Sequence, residues 1–165
     1  MENDVEREAI EILRGLCKSG CTIADSGGKD SSVLVHVAMK AGIPFKVRHN
    51  HTTVDAPETV YFVRDKFKKL REQGIDAEIF YPKETMWQLI AKRGAPPTRV
   101  IRYCCAVLKE SCGMGEKMVT GVRRAESNNR KNNQGIATII NPDKKIKSMV
   151  DGVNFQQTNK GGWCY

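Results

Sequence analysis

The stretch Ser26-Gly27-Gly28-Lys29-Asp30-Ser31 has the composition of an anion cradle. Gly27 and Gly28 carry no Cβ, so a phosphate can approach their backbone and a positive φ is open to them. Lys29 adds a mobile positive charge, and Ser26 and Ser31 add hydroxyl donors. The run before it, residues 21–25, reads as a buried strand; the apolar run after it, residues 32–39, reads as a helix. The loop therefore falls on a strand-to-helix turn. There the unpaired N–H groups and the positive end of a helix dipole favour an anion.

Neither the G-x-x-x-x-G-K-[ST] loop nor the G-x-G-x-x-G fingerprint is matched. The plain alternative is a Gly-Gly turn capped by Ser and Asp. The six residues resemble the S-G-G-x-D-S signature of the PP-loop superfamily, the adenine-nucleotide alpha-hydrolase-like proteins. That resemblance implies an α/β fold: a three-layer sandwich with a mostly parallel twisted sheet, Rossmann-like, holding an adenine nucleotide.

Three further stretches point to the phosphoadenylyl-sulfate reductase branch. His51-Thr52-Thr53-Val54-Asp55-Ala56-Pro57-Glu58-Thr59 resembles its D-T-G…P-E-T segment. His51 stands where that pattern has Asp, and Thr53 where it has Gly. His51 and Thr52 are nucleotide-contact candidates; Asp55 and Glu58 read as helix-capping residues. The block from Pro97 to Lys109 resembles R-x-C-C-x-x-L-K and supplies Arg102, Cys104 and Cys105. Gly121-Val122-Arg123 through Arg130 resembles G-x-R-x-x-x-S-x-x-R. Its Arg123 and Arg130 would grip phosphate or sulfate through their planar forks.

In iron–sulfur members of this branch a Cys-Cys pair joins a C-terminal Cys-x-x-Cys around a 4Fe–4S cluster. Here the resemblance implies Cys104, Cys105, Cys112 and Cys164 as candidate ligands, although no Cys-x-x-Cys is present. Adjacent cysteines lie about 100° apart around an ideal helix, so two ligands from one pair require a helix end or a distortion. Without metal, one thiol of the pair is expected to face the core and the other the cleft, the latter made more reactive by Arg102 and Lys109. Cys104 and Cys105 are also the candidate catalytic thiols. The Glu-Cys-Gly-like motif of sulfonucleotide reductases is absent from the sequence. Cys17 and Cys21 read as buried, inert thiols.

The 165 residues suit one adenine-nucleotide-binding PP-loop domain over 1–165, with a short irregular basic part from about 123. Net charge is +8. Arg123, Arg124, Arg130, Lys131, Lys144, Lys145 and Lys147 face only Glu126 and Asp143 in that part, a surface for polyphosphate, sulfated nucleotide or nucleic acid. No apolar run reaches membrane-spanning length and the start lacks a signal-peptide pattern. A cytoplasmic protein with reduced cysteines and no membrane partner is expected.

The elements that must position these groups alternate. An amphipathic helix covers 4–19. Further helices follow at 32–40, 56–73, 84–93 and 101–110. Strands are expected at 21–25, 45–51, 77–81, 117–121 and 137–140, with a hairpin near Asp151-Gly152. Strands alternating with helices imply βαβ units, whose ligands bind at the carboxyl ends of the strands. The phosphate loop, His51-Thr52-Thr53 and Gly121-Val122-Arg123 all fall at such ends.

Three functions fit this reading. The first is a reductase of adenylyl or phosphoadenylyl sulfate, releasing sulfite and recharged by a thioredoxin-like protein. The second is an ATP pyrophosphatase-type sulfurtransferase using Mg²⁺, acting on a nucleic acid or a small molecule. The third is a non-catalytic nucleotide-binding relative within a larger assembly, with Trp163-Cys164-Tyr165 as an interaction tail.

Overall fold

The computed structural model describes residues 4–98, 100–110, 116–121, 138–140 and 162–164. Its first half follows a β-α-β-α-β rhythm. Helix α1 (Asp4–Leu16) leads into β1 (Cys21–Ala24), then α2 (Lys29–Ala41), β2 (Phe45–Asn50), α3 (Pro57–Glu72), β3 (Asp76–Phe80) and α4 (Met86–Arg93). Then come a short helix α5 (Tyr103–Cys105), a π-helical turn (Ala106–Glu110), and strands β4 (Lys117–Thr120), β5 (Thr138–Ile140) and β6 (Gly162–Cys164).

The six strands form one sheet in the order β3-β2-β1-β4-β6-β5. All neighbours are parallel except β5, which runs antiparallel to β6 at the edge. This is the α/β, Rossmann-like arrangement expected: β1 sits centrally, and the chain reverses direction of growth beside it. Such a reversal leaves a crevice at the strands' carboxyl ends.

Register fixes the two faces. Ile23 pairs with Val47 and Val119, and Val47 with Ala77. These residues are buried together with Ile10 and Leu13 of α1, Val35 and Ala38 of α2, and Val63, Phe67 and Leu70 of α3. So α1, α2 and α3 cover one face. The segment Tyr103–Glu110 comes to β2 elsewhere: Asn50 Nδ2 donates to Lys109 O at 3.0 Å, and Leu108 is buried.

Local chemistry explains the helix ends. Gly42 closes α2 in the left-handed region at φ 65°, its N–H bonded to Met39 O. Pro57 occupies the first position of α3, where its missing N–H costs nothing. The capping box belongs to α4: Thr85 Oγ1 accepts from Gln88 N at 3.3 Å, and Gln88 Oε1 accepts from Thr85 N at 2.7 Å. Asp55 and Glu58 do not cap α3, against expectation. Ala56 is its N-cap without a side-chain bond, because the Asp55 carboxylate turns back to Thr52 N at 2.9 Å.

Residues of the opposite parity carry charge. Arg48, buried among them, pairs with Glu78 and with Glu116, the latter at 3.0 Å. Glu116 also accepts from Thr22 Oγ1 at 2.8 Å and lies 3.3 Å from Lys46. Burial raises the Glu116 pKa, but the Arg48 and Thr22 hydrogen bonds and the Arg48 and Lys46 charges outweigh it, holding the carboxyl below its ordinary 4.5. The unfolded chain therefore takes up this proton at a higher pH than the folded chain. Stability that is full above about pH 4.5 is lost as pH falls through the lower folded value. Glu116→Gln is expected to cost about 1 kcal/mol at neutral pH, since solvent screens a one-third-exposed group, and to flatten the acid limb. Urea melts of both proteins between about pH 3 and pH 7 check both effects.

Candidate functional site

Strand β1 ends at a buried carboxylate. Asp25 is 2 % exposed. One of its oxygens, Oδ1, accepts from Gly27 N and from Ser31 Oγ, each at 2.7 Å; the other, Oδ2, is paired with Lys66 Nζ from α3. Lys66 also donates to Ser32 Oγ at 2.8 Å. The loop is thus tied from beneath by Asp25, Ser31, Ser32 and Lys66, while Ser26, Gly28 and Lys29 remain exposed above it.

The two glycines differ. Gly27 has φ +80°, and a Cβ there would sit 2.9 Å from Val63 Cγ2. It must be glycine for both reasons. Gly28 has φ −82° and ψ 169°, which any residue adopts. A Cβ there would meet only Ser26 Oγ, at 3.3 Å. The expected freedom to take positive φ is therefore used at Gly27 alone. Gly28 is the N-cap of α2, and no side chain caps that helix. Its N-terminus is left open toward the exposed side of the loop, as an anion site requires.

Strand β4 delivers Gly121 against the same turn. A Cβ on Gly121 would lie 3.1 Å from Asp30 O and 3.3 Å from Ser31 N. The ends of β1 and β4 thus meet at the start of α2, as their common edge demanded. Arg123 and Arg130 lie outside the described residues.

The turn after β2 forms the third wall. His51 N donates to Phe80 O at 2.9 Å, and the ring stands edge-on to Tyr81 with centroids 5.2 Å apart. Thr52 is buried. Burial raises the Asp55 pKa, yet hydrogen bonds from Thr52 and the charges of His51 and His49 prevail, so the carboxyl lies below its usual 3.8. Thr53 has φ +66°. The likeness to D-T-G places a glycine here, and the backbone keeps the conformation that glycine suits. The Thr53 hydroxyl compensates by accepting from Met86 N at 2.8 Å, fixing the start of α4.

The cysteine pair sits at a helix end. Cys104 and Cys105 are both half-buried, with their Sγ atoms 4.0 Å apart. Neither is a core thiol, so the expected division into one core-facing and one cleft-facing group is not found. The α-helical turn carrying them passes at once into a π-helical turn, a local departure from ideal helix geometry of the kind two ligands from adjacent cysteines would require. Arg102 Nη2 donates to Cys105 Sγ at 3.5 Å; the nucleotide candidate Arg102 is placed against the thiol. Cys112 lies outside the described residues. Cys164 is placed by its backbone in β6, paired with Met118.

Sequence reasoning missed Lys66, which joins the apolar stripe Val63, Phe67, Leu70. A lysine inside a buried helical stripe was the available signal, and it called for a buried anion opposite. It also missed His49, whose Nδ1 bonds Asp25 O at 2.8 Å. A separate concavity of about 570 Å³ lies at the other ends of the strands, lined by Gly20, Thr22, Pro44, Lys46, Glu116 and Lys117. Most of its polar groups are already engaged: Lys46 and Thr22 with Glu116, and Lys117 with Ser19 Oγ at 2.9 Å.

Residues 20–149 match the family model described as the phosphoadenosine phosphosulfate reductase domain. A search among curated proteins found no significant match. No described helix is long and apolar enough to cross a membrane.

The contrast between the glycines is open to measurement. Gly27→Ala is expected to cost about 2 kcal/mol or more of folding stability, through strain and the clash with Val63. Gly28→Ala should cost about 0.5 kcal/mol. Equal losses in denaturant melts would show that the backbone of Gly27 is not the constrained one.

Proposed function

This chain belongs to the phosphoadenosine phosphosulfate reductase domain family, and on that premise we propose that it binds an adenine sulfonucleotide and reduces it to sulfite. The single observation that carries the binding is the uncapped N-terminus of α2 at Gly28, beside exposed Ser26 and Lys29. Backbone N–H groups, a hydroxyl and an ammonium at one helix start take the phosphate. Ser26, Gly27, Gly28, Lys29, Asp30 and Ser31 hold that end, with Gly27 allowing the approach. His51 and Thr52 flank it, and Arg123 and Arg130 supply further cations for the sulfate.

The candidate nucleophiles are Cys104 and Cys105. One thiolate attacks the sulfur of the sulfuryl group. The S–O bond breaks, and its electron pair leaves on the nucleotide phosphate. The product is a Cys-S-sulfonate. A second thiolate, from the neighbouring cysteine or from a dithiol protein of the thioredoxin class, attacks that cysteine sulfur. A disulfide forms and sulfite departs with the electron pair. A dithiol reductant then returns both thiols. Arg102 beside Cys105 favours the thiolate form. A 4Fe–4S cluster needs four thiolates. The described side chains bring together two, Cys104 and Cys105, and no step here runs through a cluster. Iron and acid-labile sulfide analysis of anaerobically purified protein tests for one.

A second reading is favoured by one feature, the basic run from Arg123 to Lys147. It is activation of a nucleic acid or small molecule by ATP, with Mg²⁺ on the pyrophosphate.

Calorimetric titration with adenylyl sulfate, phosphoadenylyl sulfate, and ATP with Mg²⁺ separates the readings. Lys29→Met should weaken sulfonucleotide binding about tenfold, the loss of one charge-assisted contact. Cys104→Ser and Cys105→Ser should bind normally and lose sulfite release in the presence of a dithiol protein. Sulfite release unchanged in both variants would remove the pair from the chemistry. Binding of Mg²⁺-ATP alone would replace the reductase reading with the second.

A further inference from the structure

We propose that His49, His51 and Asp55 form a binding site for one divalent transition-metal ion of the zinc class. This site shares His51 with the proposed nucleotide pocket, but the argument for it does not rest on that reading. His49 and His51 fall two residues apart at the end of β2, so their side chains leave the same side of the chain. The tight turn through Thr53, at φ +66°, brings Asp55 back to them. One potential ligand atom from each of the three lies within 4.8 Å of the others.

The separation of one pair is informative. His51 Nδ1 and Asp55 Oδ2 are 3.4 Å apart. That is long for a charged hydrogen bond. It matches the spacing of about 3.4 Å between two ligands that each stand about 2.1 Å from a tetrahedral ion. The His49 ligand atom lies within 4.8 Å of the other two, so a small side-chain adjustment closes the third position.

Each ligand is also held from outside the cluster. Asp25 O, a carbonyl, can only accept, so its 2.8 Å bond with His49 places the proton on Nδ1. In the neutral ring the lone pair is then on Nε2. A carbonyl held by one ring nitrogen, leaving the other for the ion, is the arrangement that orients metal-binding imidazoles. The His49 ring rests edge-on to Phe67, with centroids 6.1 Å apart. The Asp55 carboxylate is fixed by Thr52 N at 2.9 Å, and the His51 ring by the edge of Tyr81. Two imidazoles and a carboxylate are borderline ligands that suit zinc-class ions over magnesium or calcium. Three protein ligands leave a fourth position for water or an exogenous group, the open form of zinc coordination. Asp25 links the two sites: its carboxylate ties the phosphate loop while its carbonyl aims His49.

The test uses the full chain carrying Cys104→Ser and Cys105→Ser, stripped with chelator, so that the exposed thiols do not compete. Zn²⁺ alone is titrated against a chromophoric chelator, and Co²⁺ alone is followed by visible absorption. One equivalent should bind. His51→Ala and Asp55→Asn should each weaken it more than tenfold while circular dichroism stays native. Zn²⁺ should raise the melting temperature of the parent and not of the variants. His49→Gln is read the same way if it folds; the other two variants suffice if it does not. Stoichiometry and affinity unchanged in the His51→Ala/Asp55→Asn double variant would overturn the proposal. So would absence of binding, or a strong near-ultraviolet sulfur-to-cobalt band, which would assign the ion to thiolates. No nucleotide enters this experiment, so its failure leaves the nucleotide reading where it stands.

Discussion

A carboxylate buried at the end of the central strand sets the geometry of this molecule. Removing Asp25 from water costs several kcal/mol unless partners replace the water. Three groups do so from three elements: Gly27 N in the loop, Ser31 Oγ on α2 and Lys66 Nζ on α3, which is itself held by Ser32 Oγ. The requirement to satisfy one anion thereby fixes the loop, the start of α2 and the lean of α3. It also explains the glycine. Only a residue without Cβ can bring its N–H onto Asp25 at φ +80°, where a Cβ would lie 2.9 Å from Val63 Cγ2. The internal anion uses the inner donors of the turn and leaves the outer ones exposed. A ligand anion thus meets a loop already shaped, and ordering it costs little on binding.

The turn after β2 shows a different solution. A β-branched residue at φ +66° is strained by roughly 1–2 kcal/mol. Thr53 stays there because its hydroxyl caps Met86 N and because Asp55 clasps Thr52 N from the other side. These two bonds over-determine the turn. The strain is held locally, and α4 is attached to the same corner that carries His51.

Much of this was legible in the sequence. The four strands β1 to β4 fall within about two residues of their expected places, because each is a short apolar or alternating run between Gly or Pro signals. Helix α3 was visible from Pro57 and the Val63, Phe67, Leu70 stripe. The shared edge of the phosphate loop and Gly121 followed from the parallel order alone. What escaped depended on contacts far apart in sequence. Nothing near Lys66 names Asp25 as its partner, 41 residues away. Asp55 looked like a cap because caps are local; its actual use, holding Thr52, depends on the left-handed turn at Thr53, and a threonine gives no warning of one. The π-helical turn after Cys105 has no sequence signature either. Strand β6 escaped because three residues carry no periodicity, and its parallel pairing with β4 is a long-range event.

The reason to place the proposed site at the carboxyl ends of the strands, and not at the concavity beneath them, is which polar groups are already committed. At the lower end, Lys46, Arg48, Thr22 and Glu116 neutralise one another, and Lys117 is bound to Leu16 O and Ser19. A ligand there would have to break the ion pairs of Glu116 with Lys46 and Arg48. At the upper end the charges are arranged in depth. Asp25 and Lys66 cancel below the loop, while the uncapped start of α2 and the exposed ammonium of Lys29 face outward. An incoming anion gains contacts there without displacing any. The same accounting applies at the third wall, where His51 and Asp55 stand 3.4 Å apart. That gap is wider than a good hydrogen bond and leaves room for the proposed ion between the two groups.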